Sequence, residues 1–215
     1  APVIGVVFDT AAIHRDKPEL IEAVAQKIPM LTRAELLGQL MKNYEKSIAI
    51  SGTHGKTTTT SMLTEILMDE KKNPTISVGG MLDSIGGNIR VGGPELFVTE
   101  ACEYTNSFLS FFPNMEIILN IEADHLDCCK DIEDIRHSFL KVAERLPENG
   151  ILSINSDIHD YKESCDGLPI KVITVGSDPA KSHYSAADVT FNENACATYT
   201  LLEDGKAIDT ITLGV

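Results

Sequence analysis

The sequence predicts an α/β protein built on a mostly parallel sheet flanked by helices and finished by an antiparallel C-terminal meander. Three observations predict it. An apolar run at 48–50 leads into a glycine-bearing turn, and behind it Met62, Leu63, Ile66 and Leu67 recur at the spacing of one helix face. From Ser47 onward the strand–loop–helix pattern repeats, which is the signature of a parallel sheet with helices on both faces. Near the end, short β-rich runs surround Asp204-Gly205, a strong hairpin turn signal.

Taken in order, residues 3–8 read as a buried strand and 9–13 as the loop at its end. Pro18 is well placed in a first helical turn, with Leu20, Ile21, Val24 and Ala25 as the apolar face. Residues 28–31 read as a short extended piece, and Thr32 caps a second helix running through Met41. Residues 75–78 form a strand ending at Gly79-Gly80. The glycines at 86–87 and 92–93 then mark a long loop. Residues 96–99 form a strand ending on Glu100, and 116–120 another, ending on Asn120. Ile132, Ile135, Phe139, Val142 and Leu146 line one side of an amphipathic helix over 131–145, whose Asp131, Glu133 and Asp134 read as a solvated start near the positive dipole end. Strands follow at 151–154 and 171–175, and the meander takes 188–191, 198–202 and 208–213.

Composition narrows the function classes. A formal net charge of −14 argues against nonspecific nucleic-acid binding, which needs a basic face. It also requires that any anionic ligand be held by local donors and cations. No apolar run approaches the roughly 18 residues of a membrane span, and the N-terminus lacks a basic-then-apolar signal layout. Cys102, Cys128, Cys129, Cys165 and Cys196 form no C-x-x-C pair, so reduced thiols in a cytoplasmic protein are the expectation. Cys102 reads as a small buried thiol.

The chemistry concentrates at 51–58. Gly52 and Gly55 let the backbone turn tightly and present N–H groups to phosphate oxygens, flanking Thr53 and His54. The helix from about Lys56 adds unpaired N–H groups and the positive end of its dipole. Lys56 can neutralise β/γ-phosphates, Thr57 sits where such loops ligate Mg²⁺, and Thr58 continues a run of four threonines, poor helix formers. The general pattern G-x-x-x-x-G-K-[ST] asks for glycine at 50, where this chain has Ile50. In an open α/β sheet, ligands bind beyond the carboxyl ends of the strands. There Glu100 and His125 join the loop as candidates for a second ion. On spacing alone His125 is open between a satisfied structural imidazole and a metal ligand.

The run Gly-Thr-His-Gly-Lys-Thr-Thr at 52–58 resembles the phosphate loop of the Mur ligases, which build the peptidoglycan stem peptide, and of the related folylpolyglutamate synthetases. With His54 in its third place it looks most like the alanine-adding branch. The blocks Glu100-Ala101-Cys102-Glu103 and Asn120-Ile121-Glu122-Ala123-Asp124-His125-Leu126-Asp127 resemble further family blocks, which implies that Glu100 and His125 are metal partners. Glu103, Asn120, Asp124 and Asp127 are then placed to orient those groups or touch substrate. For the glycine loop at 86–93 the resemblance suggests phosphate or substrate proximity, with a plain surface loop equally open.

The resemblance implies two units. Residues 1–46 would be the tail of a Rossmann-like, uridine-nucleotide-binding domain, and 47–215 a central ATP-binding domain cut short at its C-terminal end. It implies an ADP-forming ligase using ATP and Mg²⁺ to join L-alanine to UDP-N-acetylmuramate through an acyl phosphate, as a monomer or weak homodimer, with Lys56, Glu100 and His125 catalytic. The isolated span would be inactive. Competing expectations are a sister ligase that attaches a recycled tripeptide, a P-loop kinase or GTPase, and a nucleotide-binding regulator. A G-protein should carry N-K-x-D, which this chain lacks, and a pure binder has little need of the Glu100–His125 pair.

Overall fold

The computed structural model describes residues 5–10, 13–122 and 132–214, with side chains at 104 and 105 left aside. Strand β1 (Val7–Asp9) lies parallel to β2 (Met30–Thr32), Val7 opposite Met30. Helix α1 (Pro18–Ala25) crosses between them with Pro18 in its first turn. Helix α2 (Arg33–Met41) starts on a complete capping box. Thr32 Oγ1 accepts from the Glu35 N–H (3.2 Å) and Glu35 Oε2 accepts from the Thr32 N–H (2.7 Å). These hydrogen bonds to the ionised form hold the Glu35 carboxyl below its usual range.

The ten-stranded sheet is formed by β3 (Lys46–Ser51), β4 (Thr75–Leu82), β5 (Gly87–Arg90), β6 (Leu96–Glu100), β7 (Met115–Ile118), β8 (Ile151–Asn155), β9 (Lys171–Val175), β10 (Tyr184–Phe191), β11 (Ala197–Glu203) and β12 (Lys206–Thr212). Its order is β12-β11-β10-β9-β8-β7-β3-β6-β4-β5, parallel from β10 through β4 and antiparallel at both ends. The chain leaves β3 towards β6 and β4, then returns to β7 on the other side. The end of β3 is therefore the switch point at which such sheets place ligands.

Alternation along β3 divides two cores. Ala49 faces a core with Phe97, Phe108, Ile118, Phe139 and Leu152, covered by α4 (Ile132–Ala143) and by Met41 of α2. Ile48 and Ile50 face the other, with Ile76, Val98, Leu63 and Leu67, covered by α3 (Lys56–Asp69). Helix α2 sits close because residue 38 is glycine. A Cβ there would lie 1.9 Å from the Ser110 carbonyl oxygen. The first core also hides a carboxyl, Glu116 of β7, fully buried and in register with Ala49 and Leu152. Burial pushes it up to about 8. The nearby Ser51 hydroxyl offsets little of this, since it donates instead to the Ile117 carbonyl oxygen (3.3 Å), and neither carboxyl oxygen is hydrogen-bonded to a described residue.

Several sequence expectations shift. Met62 and Ile66, expected on the buried face of α3, are 37% and 58% exposed, whereas Thr60 and Thr64 are fully buried. The strand expected to stop at Gly79-Gly80 runs on to Leu82, and the expected long loop contains its antiparallel partner β5. The meander begins at Tyr184 and continues the parallel sheet through β9 rather than standing apart. Cys102 is exposed, because it stands in the turn after β6, whereas Cys165 is buried. Cys102, Cys165 and Cys196 are free thiols; Cys128 and Cys129 lie outside the described residues. Among the described residues no helix is long and apolar enough to cross a membrane.

Candidate functional site

The loop between β3 and α3 stands at the switch point with its shape fixed by two glycines. Gly52 has φ +133° and Gly55 φ +82°, conformations that L side chains rarely adopt. At Gly52 a Cβ would also stand 3.0 Å from Leu119 Cβ and 3.1 Å from the Asn120 nitrogen. Gly55 is the N-cap of α3 and no side chain caps that helix. Its first-turn N–H groups are left for an external acceptor, as phosphate binding requires.

Asn120 clasps the loop. Its Oδ1 accepts from the His54 N–H (2.7 Å), its Nδ2 donates to the His54 carbonyl oxygen (3.0 Å), and its own carbonyl oxygen accepts from the Thr53 N–H (3.3 Å). Thr53 Oγ1 in turn accepts from the Glu122 N–H (3.0 Å). The segment after β7 therefore holds both sides of residues 53–54. The exposed His54 ring lies 3.8 Å from the Glu122 carboxylate.

Lys56 Nζ donates to the carbonyl oxygens of Gly52 (2.5 Å) and Thr53 (3.2 Å) and to the Glu103 carboxylate (2.9 and 3.2 Å). Thr57 Oγ1 donates to Glu100 Oε2 (3.1 Å), while Glu100 Oε1 accepts from the Gly79 N–H (2.7 Å). Thr58 is exposed on the same turn. Three strand ends thus meet the middle of a fourth strand: the loop after β3, Glu100 at the end of β6 and Asn120 beyond β7, with Gly79 inside β4. A Cβ at 79 would come 2.7 Å from Glu100 Oε2, so a larger residue there would push the carboxylate aside.

The structure brings Gly52, Thr53, His54, Gly55, Lys56, Thr57, Thr58 and Glu100 together in one region. His125, Asp124 and Asp127 lie outside the described residues. Among the described residues no cluster of three or more His, Cys, Asp or Glu side chains forms a ready-made metal cage. The donor set fits Mg²⁺ all the same, because that ion is usually held by one or two protein oxygens plus phosphate and water. Thr57 and Glu100 present such oxygens. Sequence reasoning left Glu103 as a secondary residue, whereas the structure makes it the counter-ion of Lys56. Its place three residues after Glu100, in the same strand-end block, was the available signal.

The family described as Mur ligase middle domain matches residues 50–214. A curated relative, UDP-N-acetylmuramate–L-alanine ligase of Lachnospira eligens, is 60% identical over 212 residues, covering 99% of this chain and 46% of its own length. Among solved structures, UDP-N-acetylmuramate–alanine ligase from Thermotoga maritima matches at 28% identity with a TM-score of 0.82, over 98% of this chain and 47% of that one. The UDP-N-acetylmuramate:L-alanyl-γ-D-glutamyl-meso-diaminopimelate ligase from Neisseria meningitides shares the fold at 22% identity, with a TM-score of 0.86, over 98% of this chain and 68% of that one. The chain spans about half the length of the curated relatives it matches.

Proposed function

Because the chain belongs to the Mur ligase family, we propose that it is the nucleotide-handling part of an ATP-dependent ligase joining L-alanine to UDP-N-acetylmuramate in peptidoglycan precursor synthesis. The 60% identity to an enzyme of that name supports the substrate pair. The observation that carries the chemistry is the meeting of Lys56, Thr57 and Glu100 at the mouth of β3, on a loop whose helix carries no side-chain cap.

On this reading a carboxylate oxygen of the muramoyl group attacks the γ-phosphorus of ATP. The bond to the β–γ bridging oxygen breaks, ADP leaves and an acyl phosphate remains. The alanine amine then attacks the acyl carbon, phosphate leaves, and the amide nitrogen gives up its proton. The loop N–H groups and Lys56 bind the phosphates and counter the charge that spreads over the transferring group, where most of the catalysis of such steps lies. Asn120, which takes up the Thr53 and His54 N–H groups itself, holds the loop in the shape that leaves the first-turn N–H groups of α3 for the phosphates. Thr57 would hold one Mg²⁺ and Glu100 with His125 a second, and bound there the ions would supply neutralisation of the phosphate charge. Residues 1–46 are read as the tail of the unit that binds the uridine nucleotide.

ADP release by the full-length protein tests this. It should require UDP-N-acetylmuramate and L-alanine together and collapse when either is withheld. Release supported by a tripeptide but not by alanine would assign the sister activity, and release independent of both would overturn the ligase reading.

A further inference from the structure

Lys56 has no hydrogen left to offer. An ammonium carries three donors. In this loop they are directed at the Gly52 carbonyl oxygen, the Thr53 carbonyl oxygen and the Glu103 carboxylate. Two of these acceptors belong to the loop itself. The third is a full negative charge brought 47 residues along the chain, and it is the strongest competitor a phosphate would meet. The pair is sheltered, with 15% of the lysine side chain and 12% of the glutamate side chain exposed, so solvent screens it less than a surface ion pair.

The two partners differ in freedom. The backbone around Glu103 is pinned: the Ala101 N–H donates to the Ile50 carbonyl oxygen (2.8 Å), Cys102 accepts from the Phe108 N–H (3.0 Å), and Glu103 accepts from the Asn106 N–H (2.8 Å). Phe108 is fixed in the core against Phe139. Lys56 reaches out on a flexible four-carbon stem. When a phosphate arrives, the lysine can swing to it on that stem, while the pinned main chain keeps Glu103 next to the loop.

We propose that Glu103 is an internal stand-in for phosphate: it holds the Lys56 ammonium in the nucleotide-free loop and must be exchanged for the β/γ-phosphates before the loop is loaded. The inference rests on the ligase reading above, and gives Glu103 a positioning role distinct from those of Lys56 and Glu100. Nucleotide binding then proceeds against a built-in competitor. With Glu100 and Glu103 both beside the loop, the arriving phosphates also meet more negative than positive side-chain charge, which favours nucleotide that brings its own cation.

The test is calorimetric titration of ADP, with Mg²⁺ present, into the full-length protein and its E103Q and E103D variants. Glu103→Gln keeps the shape and removes the charge, so ADP should bind about tenfold more tightly. Glu103→Asp draws the carboxylate back by one methylene and should give a smaller gain in the same direction. A residue that merely braced the loop would, on losing its charge, weaken binding, so tightening is the readout a structural role does not produce. Wild-type protein that binds ADP, with E103Q and E103D binding it no more tightly, would overturn the stand-in while leaving the ligase reading intact. Wild-type protein that binds no ADP would overturn both.

Discussion

At Lys56 two demands meet in one side chain, and a substitution separates them. Lys56→Ala removes the phosphate contact and strands Glu103, a sheltered carboxylate whose stability depends on its partner. Turnover should fall at least a hundredfold, on the order of what one positioned charge contributes to transition-state stabilisation. The melting temperature should fall as well. Adding Glu103→Gln should restore the melting temperature without restoring turnover, and thermal melts beside an ADP-release assay read the two effects apart. Glu116 gives a prediction of a different kind. Its carboxyl ionises near 8 in the folded chain, against an ordinary value of 4.5. Between those values the folded protein keeps a proton that the unfolded chain releases. This contribution is therefore intact below about pH 4.5, declines as pH rises towards 8 and is spent above it. Glu116→Leu should flatten a slope of at most about 1.4 kcal/mol per pH unit. Urea unfolding at pH 5.5 and 8 would show it, and equal slopes in both proteins would mean the carboxyl is already ionised in the fold.

Among the elements, α2 makes the sharpest structural prediction. Gly38→Ala places a methyl group 1.9 Å from the Ser110 carbonyl oxygen, which is backbone and cannot swing aside. The helix must lift, at about 1–3 kcal/mol, or roughly 2–12 °C of melting temperature for a chain of this size. A melt within 1 °C of wild type would show that the contact is loose. How far the elements could be read in the sequence follows from which signals are local. Capping at Thr32, the glycine loop and the Asp204-Gly205 turn depend on a few adjacent residues, and the structure has them where they were expected. The face of α3 was misread because Met62 and Ile66 are the more apolar residues, while the helix is phased by its loop. That phase points Thr60 and Thr64 inward, where Thr64 Oγ1 bonds the Thr60 carbonyl oxygen (2.8 Å). The β4–β5 hairpin was hidden because its glycines look like punctuation, yet Gly79 lies within β4 and its N–H bonds Glu100. Glu103 and Asn120 were legible as candidates. Their partners were not, since pairing across 47 and 66 residues is a property of the sheet order.

At the scale of the whole fold, these 215 residues carry a formal charge of −14 around the site proposed to receive an anion. Over distances beyond the roughly 10 Å Debye length at 0.1 M salt, that field repels nucleotide, and salt screens it. The association rate constant for ADP should therefore rise with ionic strength, as stopped-flow mixing with a fluorescent ADP analogue would record. A falling rate would show that Lys56 and the loop N–H groups govern the approach from afar. The sheet order bears equally on how the chain is made. Strand β3 lies between β6 and β7, and Ser47 is fastened to Asn114, 67 residues further on. A ribosome adding about 5–20 residues each second needs roughly 3–13 s to reach that partner. Until β6 has been made neither edge of β3 has its partner, and until β7 follows one edge stays open. The strand that carries the loop thus waits, with an unpaired edge, for a partner made 67 residues later, and for those seconds that edge is open to a neighbouring chain.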